Sequence, residues 1–521
     1  MTPVRPRAGL RGGEALALHR RLPTDPDPLA LYAALSDGGG RPDTFLLERT
    51  VGPSLLMDEA ALRVECRGCV VTLDALTPNG AQALAAVAMR LPERVVASED
   101  QQLVLRFERL DSHDAEARLR APSPVDVLRV LTGLASASPE EPFTVAALGI
   151  VAFDHVDLFE NLPANARDPL KYPDFLFWLP ASLIVFEPGA RPRLVCTAFG
   201  SDDPAAAERA YYGAAERLTR LVTRCADVKP PPTIPTPGGP VADPDVDLDD
   251  AAFGAVVATL RERIVAGDIY QVVPSRTFRV PCADPLRAFA AQRALDPSPY
   301  RYFVRSPDHV LFGASPETSV RVFAGAQGRT VEVKPIAGTT ARGATEDEDD
   351  RLEAEMRLDA KEVAEHMMLV DLARNDVARV SVTGTRRVAA LMRVERYARL
   401  MHLVSSVQGG LRPGLDALHA LAACLNVGTL TGAPKIRATE LLRETEVTKR
   451  GPYGGAIGWI NGDGHMDTGV VIRSAVVKDG VAYVRAGAGV VFDSDPQREA
   501  AETRRKASAL LSVLAATGDA T

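Results

Sequence analysis

Two stretches of the sequence each carry a pair of glutamates three residues apart. Glu362 and Glu365 follow Asp359, which is predicted to form a D-x-x-E capping box with Glu362, and Glu499 and Glu502 follow an Asp-Ser-Asp-Pro segment. Both flanking patterns are typical of a helix start, so each pair is predicted to lie on one helical face. Four carboxylates brought together would bind a hard cation such as Mg²⁺ and leave it positions for an anionic ligand. Taken alone, the residues favour two solvent-facing acidic helix starts instead.

Other segments give weaker signals. Residues 428–435, GTLTGAPK, lack the ending of a nucleotide-binding loop, and residues 487–489, GAG, are not a dinucleotide fingerprint. Both could offer backbone N–H groups to a carboxylate, although tight turns explain each segment equally well. Cys66 and Cys69 form a lone C-x-x-C without the second pair that a zinc site needs, and His402 alone indicates only a structural histidine.

The elements that carry these residues are strands and helices without a regular βαβ alternation, so an α+β fold is predicted. Residues 455–492 contain β-branched runs around turn signals at 463–464 and 479–480, which predicts an antiparallel meander. Arg473 is expected on the middle strand of this meander and residues 487–489 on the next.

A proline- and glycine-rich segment with an acidic end divides the chain. Residues 227–250, DVKPPPTIPTPGGPVADPDVDLDD, are predicted to form a linker. It separates an N-terminal region, residues 1–226, from a C-terminal region, residues 251–521, that holds nearly all the glycine- and carboxylate-rich segments. Helices are predicted over 81–91 and 204–225 in the N-terminal region.

The overall composition argues against several classes of protein. With 60 Lys and Arg against 68 Asp and Glu, the net charge of −8 lacks the basic excess of a nucleic-acid or membrane-surface binder. The best apolar run, Phe175 to Phe186, is broken by Pro180 and falls short of the ~18 residues of a membrane span. Six cysteines in 521 residues make no disulfide framework, so we expect the cytoplasm. The acidic run Glu346 to Asp350 is predicted to be a solvated loop.

Taken together, the segments form an ordered set that resembles the anthranilate synthase component I family of chorismate-utilising enzymes. The resemblance covers nearly the whole chain. Its motifs are, in order, LLERT (46–50), DIYQVVPSRTF (268–278), DPSPYRYF (296–303), LFGASPETS (311–319), KPIAGT (334–339), DAKEVAEHMMLVDLARND (359–376), MHLVSS (401–406), GTLTGAPKIRA (428–438), GPYGGAIGW (451–459), VVIRSA (470–475) and RAGAGVVFDSDPQREAAETRRKA (485–507).

This resemblance implies an α+β fold with large packed antiparallel sheets flanked by helices, and an active site in the C-terminal region. The substrate would be chorismate, which carries a ring carboxylate and an enolpyruvyl carboxylate. Mg²⁺ would hold the ring carboxylate through Glu365 and Glu502, with Glu362 and Glu499 in support. Arg473 would pair with the enolpyruvyl carboxylate. The other positions that match substrate contacts are Gly338, Thr339, Tyr453, Gly487, Ala488 and Gly489.

The reaction implied by the resemblance depends on Gln271. Relatives that add water to chorismate carry a lysine base there, whereas a neutral amide can orient ammonia but cannot deprotonate water. Amination at ring C2 is therefore expected, with Glu317 as the general acid that protonates the departing hydroxide. His402 matches the histidine tied to loss of pyruvate and aromatisation, and Thr429 of the GTLTGAPK segment is assigned to the same catalytic set.

The resemblance also implies a partner and an effector. The chain has no glutaminase nucleophile motif, so glutamine-dependent activity would require a separate glutamine amidotransferase subunit. In the family, tryptophan inhibits by binding between the LLES and SPYM segments, which match Glu48, Arg49, Pro299, Tyr300 and Arg301 here.

Arg49 replaces the serine of LLES, and Arg301 replaces the methionine of SPYM. Two arginines in one indole-sized cavity would fill it and repel each other, or would turn outward or pair with Glu48. We therefore expect weak or absent inhibition by tryptophan, as would suit a secondary pathway. An aromatic effector stacked on a guanidinium, or solvent-facing arginines that leave tryptophan binding intact, are the alternatives.

Two other functions compete with anthranilate formation. One is a 2-amino-2-deoxyisochorismate synthase, which would use the same site without productive elimination. The other is an inactive regulatory homologue, against which the intact Gln271, Glu317 and Arg473 argue. One departure lies near the site: the family's GTRPRG reads GTTARG at 338–343, which predicts a less rigid loop.

Overall fold

A computed structural model describes residues 9–165, 167–226, 228, 244–325, 328–397 and 400–518. Most of the predicted linker over 227–250 lies outside these residues, and only residue 228 and residues 244–250 of it are described. The division into regions 1–226 and 251–521 stays a prediction.

The described residues form twenty-five strands, connected mainly by turns and short helices. Their bounds are β1 (Glu14–Arg21), β2 (Thr44–Arg49), β3 (Ser54–Arg67), β4 (Val70–Ala75), β5 (Val95–Ser98), β6 (Gln102–Arg106), β7 (Ala135–Ser136), β8 (Ala146–Val151), β9 (Phe175–Phe186), β10 (Arg193–Phe199), β11 (Asp245–Val246), β12 (Gln271–Val272), β13 (Ser275–Pro281), β14 (Tyr300–Arg305), β15 (Val310–Ser315), β16 (Thr318–Gly325), β17 (Gly328–Val333), β18 (Ile336–Ala341), β19 (Arg387–Arg396), β20 (Leu400–Gly410), β21 (Gly432–Ala433), β22 (Ala456–Asn461), β23 (Met466–Val470), β24 (Ser474–Lys478) and β25 (Val481–Gly487).

Twelve α-helices flank the strands within the same described residues. Their bounds are α1 (Pro28–Leu35), α2 (Pro78–Arg90), α3 (Ala115–Arg120), α4 (Asp126–Thr132), α5 (Pro204–Arg224), α6 (Asp250–Val265), α7 (Pro285–Leu295), α8 (Glu346–Leu358), α9 (Ala360–Ala378), α10 (Ala417–Cys424), α11 (Lys435–Thr445) and α12 (Pro496–Gly518). The helices predicted over 81–91 and 204–225 correspond to α2 and α5. No helix in the described ranges has the length and apolar character needed to cross a membrane.

Twenty-three of these strands belong to one hydrogen-bonded network, which is antiparallel apart from the β1–β7 pair. The N-terminal and C-terminal regions share it, because β2 pairs with β14 and β8 pairs with β22. Buried side chains from both regions, such as Phe45, Trp178, Tyr302 and Trp459, form a common core. This architecture confirms the predicted α+β fold with large packed antiparallel sheets and flanking helices.

Two helices bring the paired glutamates to the sheets. Helix α9 packs on β18 and β20, and helix α12 packs on β13 and β25. Asp359 caps α9 by accepting the backbone N–H groups of Lys361 and Glu362. Its own N–H donates to the carbonyl of Glu355 in α8, so Asp359 ends one helix and begins the next and does not form the predicted reciprocal capping box. Asp495 begins α12 by accepting the N–H of Arg498 at 2.9 Å.

Two other predictions from the sequence are wrong. The acidic run Glu346 to Asp350 is the first turn of α8, capped by Thr345, because acidic side chains are favoured at a helix N-terminus. Residues 455–492 form two separate hairpins, since β23 pairs with β16 whereas β24 pairs with β15. Arg473 consequently lies in the connection between β23 and β24 and not on a middle strand.

Candidate active site

Glu317 lies in the connection between β15 and β16 and is buried. Thr429 Oγ1 donates a 2.7 Å hydrogen bond to Glu317 Oε1. Burial raises the pKa of Glu317 to about 8, although the Thr429 hydrogen bond and the charge of Arg473 both act to lower it. The carboxyl is therefore protonated at neutral pH, as a general acid requires.

His402 on β20 lies directly opposite Thr339 on β18. The two side chains form a hydrogen bond, with 2.9 Å between Thr339 Oγ1 and His402 Nδ1. Burial lowers the pKa of His402 to about 4, and the charge of Arg473 lowers it further. The imidazole is therefore uncharged at neutral pH and can accept a proton.

Arg473 is the positive group that Glu317 and His402 share. Its backbone has a φ of +48°, in the left-handed region that non-glycine residues rarely occupy. Its Nη1 lies 3.5 Å from Asp296 Oδ2. The charge of the guanidinium lowers the pKa of both Glu317 and His402. The same group can bind an anion.

Gln271 lies on β12, which pairs with β21 immediately after the segment that carries Thr429. The side chain is buried, and its Oε1 has no hydrogen-bond partner among the described residues. An ideal Cβ on Gly489 would lie 3.3 Å from Gln271 Nε2 and 3.9 Å from Glu365 Oε1, so the amide and the carboxylate flank the same glycine. The site therefore holds a neutral amide with a free acceptor beside a glutamate.

The glutamates of α9 and α12 are close enough for their charges to interact. Burial raises the pKa of Glu365, and the negative charges of Glu362 and Glu499 raise it further. Glu362 Oε2 would lie 3.4 Å from a Cβ on Gly338, so the KPIAGT segment lies beside these glutamates. Across the described residues, no group of three or more His, Cys, Asp or Glu side chains stands close enough to hold a metal ion. The donor chemistry nevertheless fits Mg²⁺, because carboxylate oxygens are its usual protein ligands.

Lys506 completes this cluster. Its Nζ donates to the carbonyl of Gly487 at 3.1 Å and lies 3.6 Å from Glu502 Oε1. Burial lowers the pKa of Lys506, and Glu499 and Glu365 oppose that shift. Glu502 also forms an ion pair with Arg505, so the carboxylate expected to bind Mg²⁺ directly is occupied by cations of its own helix.

Tyr453 closes the site on the side of β25. A Cβ on Gly487 would lie 3.1 Å from the Tyr453 hydroxyl oxygen. Burial raises the pKa of Tyr453, so the hydroxyl stays protonated and can donate. Ala488 is fixed by a 3.1 Å bond from its N–H to the carbonyl of Pro274.

Most of the chain, residues 81–512, matches the family model for chorismate binding enzymes. The chain belongs to this family. It is 47% identical over 476 residues to the pyocyanine-specific anthranilate synthase component 1 of Pseudomonas aeruginosa, which covers 89% of this chain and 87% of that relative. It is 43% identical over 515 residues to anthranilate synthase component 1 of Vibrio cholerae, with coverage of 95% and 96%.

A solved structure is also similar to this member of the chorismate binding enzyme family. The crystal structure of anthranilate synthase component I from Streptococcus pneumoniae aligns with a TM-score of 0.68 and 30% identity, over 89% of this chain and 92% of that chain. The resemblance inferred from the ordered motifs is confirmed.

The positions that match the family's effector element form a separate cluster on β2 and β14. The strand register pairs Arg49 with Tyr300 and Glu48 with Arg301. Directly opposed residues share a sheet face and successive residues alternate faces, so Arg49 and Arg301 lie on opposite faces. The expectation that both arginines share one cavity is therefore wrong.

Each arginine has its own partner. The Arg49 guanidinium lies 3.4 Å over the Tyr300 ring, and its Nη2 donates to Asp467 Oδ2 at 2.9 Å. Its side chain is only 5% exposed, so it does not face solvent. Arg301 Nε lies 3.7 Å from Glu48 Oε2, in agreement with the pairing considered from the sequence. Pro299 accepts the N–H of Thr50 at 3.2 Å and links the ends of the two strands.

Sequence reasoning missed two residues of the site. Lys506 lies four residues after Glu502 and seven after Glu499, and this helical spacing could have assigned it to the carboxylate face. Asp296 carried no such signal, because its approach to Arg473 depends on how α7 packs beside the β23–β24 connection.

Proposed function

We propose that this chain is the chorismate-aminating subunit of an anthranilate synthase, which converts chorismate and ammonia to anthranilate and pyruvate. The observation that carries the proposal is the buried Gln271 amide, whose Oε1 has no hydrogen-bond partner among the described residues. A free buried acceptor favours a small ligand with N–H groups, and ammonia is such a ligand. The names of the relatives, anthranilate synthase component 1, support the same activity.

The chemistry requires one group that is protonated and donates a proton, and another that is unprotonated and accepts one. Ammonia oriented by Gln271 attacks ring C2, the ring double bonds shift as the bond from C4 to its hydroxyl breaks, and the departing hydroxide takes the proton of Glu317 and leaves as water. The new ammonium group loses one proton, which restores Glu317. The uncharged His402 then assists removal of the C2 proton as pyruvate leaves and the ring becomes aromatic. The raised pKa of Glu317 and the lowered pKa of His402 give each group the protonation state that its role needs.

Substrate binding is assigned to the cationic and backbone groups around Arg473. The guanidinium would pair with the enolpyruvyl carboxylate. Tyr453 and the backbone at Gly487 and Gly489 would bind the remaining oxygens, with Ala488 held between them by its bond to the carbonyl of Pro274. Mg²⁺ held by Glu365 and Glu502, with Glu362 and Glu499 in support, would neutralise the ring carboxylate beside these acidic side chains.

The proposal includes a partner. The sequence has no glutaminase nucleophile motif, so glutamine would be hydrolysed by a separate amidotransferase subunit that delivers ammonia. The isolated chain should accordingly use ammonia at alkaline pH and fail to use glutamine. Turnover of glutamine by the pure chain would overturn this division.

The proposal also includes weakened feedback by tryptophan. Arg49 fills the space over Tyr300 and holds Asp467, so the element that matches the family's effector site is occupied by the protein's own side chain. The pyocyanine-specific name of one relative agrees with supply to a secondary pathway.

The competing product is 2-amino-2-deoxyisochorismate, which the same site would release if elimination of pyruvate did not follow. The two are separated by incubating the purified chain with chorismate, ammonia and Mg²⁺ and recording ultraviolet absorption and fluorescence. Only anthranilate is aromatic and fluorescent, so fluorescence that grows with chorismate consumption supports the proposal. Consumption without fluorescence would favour the amino-isochorismate, and no consumption would favour an inactive homologue.

A further inference from the structure

Gln292 on α7 contacts the connection that carries Arg473. Its Nε2 donates a 2.7 Å hydrogen bond to the carbonyl oxygen of Arg473. The same carbonyl accepts a longer bond, 3.3 Å, from the N–H of Ala314 on β15. Gln292 is buried, and its Oε1 has no partner among the described residues. Of the two polar ends of this buried amide, only Nε2 therefore has a partner within the described ranges. The bond to Arg473 is the interaction that accounts for a glutamine at this position.

The backbone of Arg473 has a strained conformation that the surrounding residues must stabilise. Its φ of +48° brings Cβ too close to its own backbone, so a residue other than glycine keeps this conformation only when its surroundings hold it. The connection between β23 and β24 belongs to neither hairpin. Within it, Val471 bonds the backbone of Gly454 and Gly455, whereas Arg473 is held through its carbonyl by Ala314 and Gln292. A rotation there would carry the guanidinium away from Glu317 and His402.

Helix α7 is a rigid support for this purpose. Arg293, the next residue, forms a two-pronged ion pair with Glu48, with Nε–Oε2 and Nη2–Oε1 distances of 2.8 and 2.7 Å. It also donates to Asp27 Oδ2 at 2.6 Å. Asp296, one residue past the helix, lies 3.5 Å from the Arg473 guanidinium. One helix therefore contacts both the backbone and the side-chain end of Arg473.

We propose that Gln292 is a positioning residue for Arg473, which fixes the guanidinium where a carboxylate of the substrate binds. The inference rests on the proposed function, in which Arg473 pairs with chorismate. Because the guanidinium binds the carboxylate in the ground state and in the transition state, its displacement raises KM more than it lowers kcat.

The test removes the donor and keeps the volume. Gln292→Met should weaken chorismate binding about five- to tenfold and lower the melting temperature by no more than the loss of a buried hydrogen bond does elsewhere, while the KM for ammonia changes little. Chorismate Kd from calorimetry and KM from initial rates give the readouts. Gln292→Leu, which is smaller and also lacks a donor, serves if the first variant does not fold.

Asn79→Leu is the control for the loss of buried hydrogen bonds away from the site. Asn79 Nδ2 donates a 2.8 Å bond to the carbonyl of Thr197, and its Oδ1 accepts the N–H of Phe199 at 2.9 Å, so the variant should lose stability without a change in chorismate affinity. An equal loss of chorismate affinity in this control would overturn the positioning role.

A double-mutant comparison separates the inference from the function on which it rests. Arg473→Gln should weaken chorismate, and Gln292→Met should add nothing in that background. Unchanged chorismate affinity in Arg473→Gln would overturn the proposed role of Arg473. Two outcomes would overturn only the positioning role when Arg473→Gln itself strongly weakens chorismate binding. In one, Gln292→Met leaves chorismate affinity unchanged. In the other, it lowers the affinity by the same factor with Arg473 as with Gln at that position.

Discussion

Thr429 donates its hydroxyl proton to a carboxyl group, Glu317, that burial keeps protonated. The hydrogen bond stabilises the charged form of Glu317, so it holds the pKa below the value that burial alone would give. A general acid works only while protonated, and wild-type activity is therefore expected to fall as pH rises through about 8.

Thr429→Val should move this alkaline limb to higher pH, because the charged form loses its hydrogen bond. The measurement is kcat/KM for chorismate between about pH 6 and 10 at constant free ammonia. Thr431→Val is the control, since Thr431 bonds the carbonyl of Val427 and not Glu317. An unmoved limb in Thr429→Val, or the same shift in both variants, would contradict the prediction.

Glu317→Gln should lower turnover about a hundredfold or more, while stabilising the fold at alkaline pH. The folded pKa of about 8 lies above the unfolded value near 4.5, so stability contributed by Glu317 is fully present at low pH and is lost as pH rises through about 8. The melting temperature of Glu317→Gln relative to wild type should therefore increase from pH 5 to pH 9. The exposed Glu444→Gln should give a constant difference, and a flat difference for Glu317→Gln would refute the buried, protonated state.

Gln271→Met should raise the KM for ammonia about tenfold and leave the KM for chorismate nearly unchanged, because only the acceptor for N–H groups is lost. Gln408→Met is a matched control, as Gln408 bonds Glu332 on the sheet. Initial rates with each substrate varied in turn decide the matter. Proportional changes in both KM values would indicate general damage to the site.

The carboxylate cluster predicts opposite effects of Glu365→Gln on activity and stability. Without Mg²⁺, the variant should melt at a higher temperature than wild type, because the repulsion from Glu362 and Glu499 is relieved. Added Mg²⁺ should stabilise wild type and not the variant, and turnover of the variant should collapse at limiting Mg²⁺. The exposed Glu355→Gln on α8 should respond to Mg²⁺ as wild type does. Full activity of Glu365→Gln at limiting Mg²⁺ would remove this assignment.

The sequence predicts those parts of the site that local patterns determine. Caps and proline place the starts of α9 and α12, and turn signals place the hairpins β22–β23 and β24–β25. The pairing between hairpins depends on distant partners, so the position of Arg473 in a connection could not be read from alternation. Gln292 and Asp296 escaped notice for the same reason.

Register explains the error at the effector element. The motif LLERT (46–50) and the segment around Tyr300 indicate that two strands meet, but a shift of one residue would exchange the faces of every side chain. Only the observed pairing of Arg49 with Tyr300 separates Arg49 from Arg301. Similarly, residues 338–341 of the predicted loop belong to β18, and Arg342 after the strand bonds both Asp349 on α8 and the carbonyl of Tyr397, while the lower rigidity of this segment stays a prediction.

The observed register of β2 and β14 identifies Arg49 as the arginine that should determine inhibition by tryptophan. Arg49 is buried over Tyr300, and its Nε and Nη1 have no partner in the described part of the chain. Arg49 occupies the space over Tyr300, and a ligand with an ammonium group would have to displace this guanidinium from Asp467, so tryptophan is expected to inhibit wild type weakly or not at all.

Initial rates titrated with tryptophan test this expectation in wild type, Arg49→Ser, Arg301→Met and the double variant. Since the two arginines lie on opposite sheet faces and contact different carboxylates, their effects should be nearly additive. Arg49→Ser opens the space over Tyr300 and should account for most of any gained sensitivity, whereas Arg301→Met alone should gain little because Arg293 continues to neutralise Glu48. Inhibition of wild type at micromolar tryptophan would sink the idea. Sensitivity that appears with Arg301→Met alone would assign the effector site to the other face of the sheet.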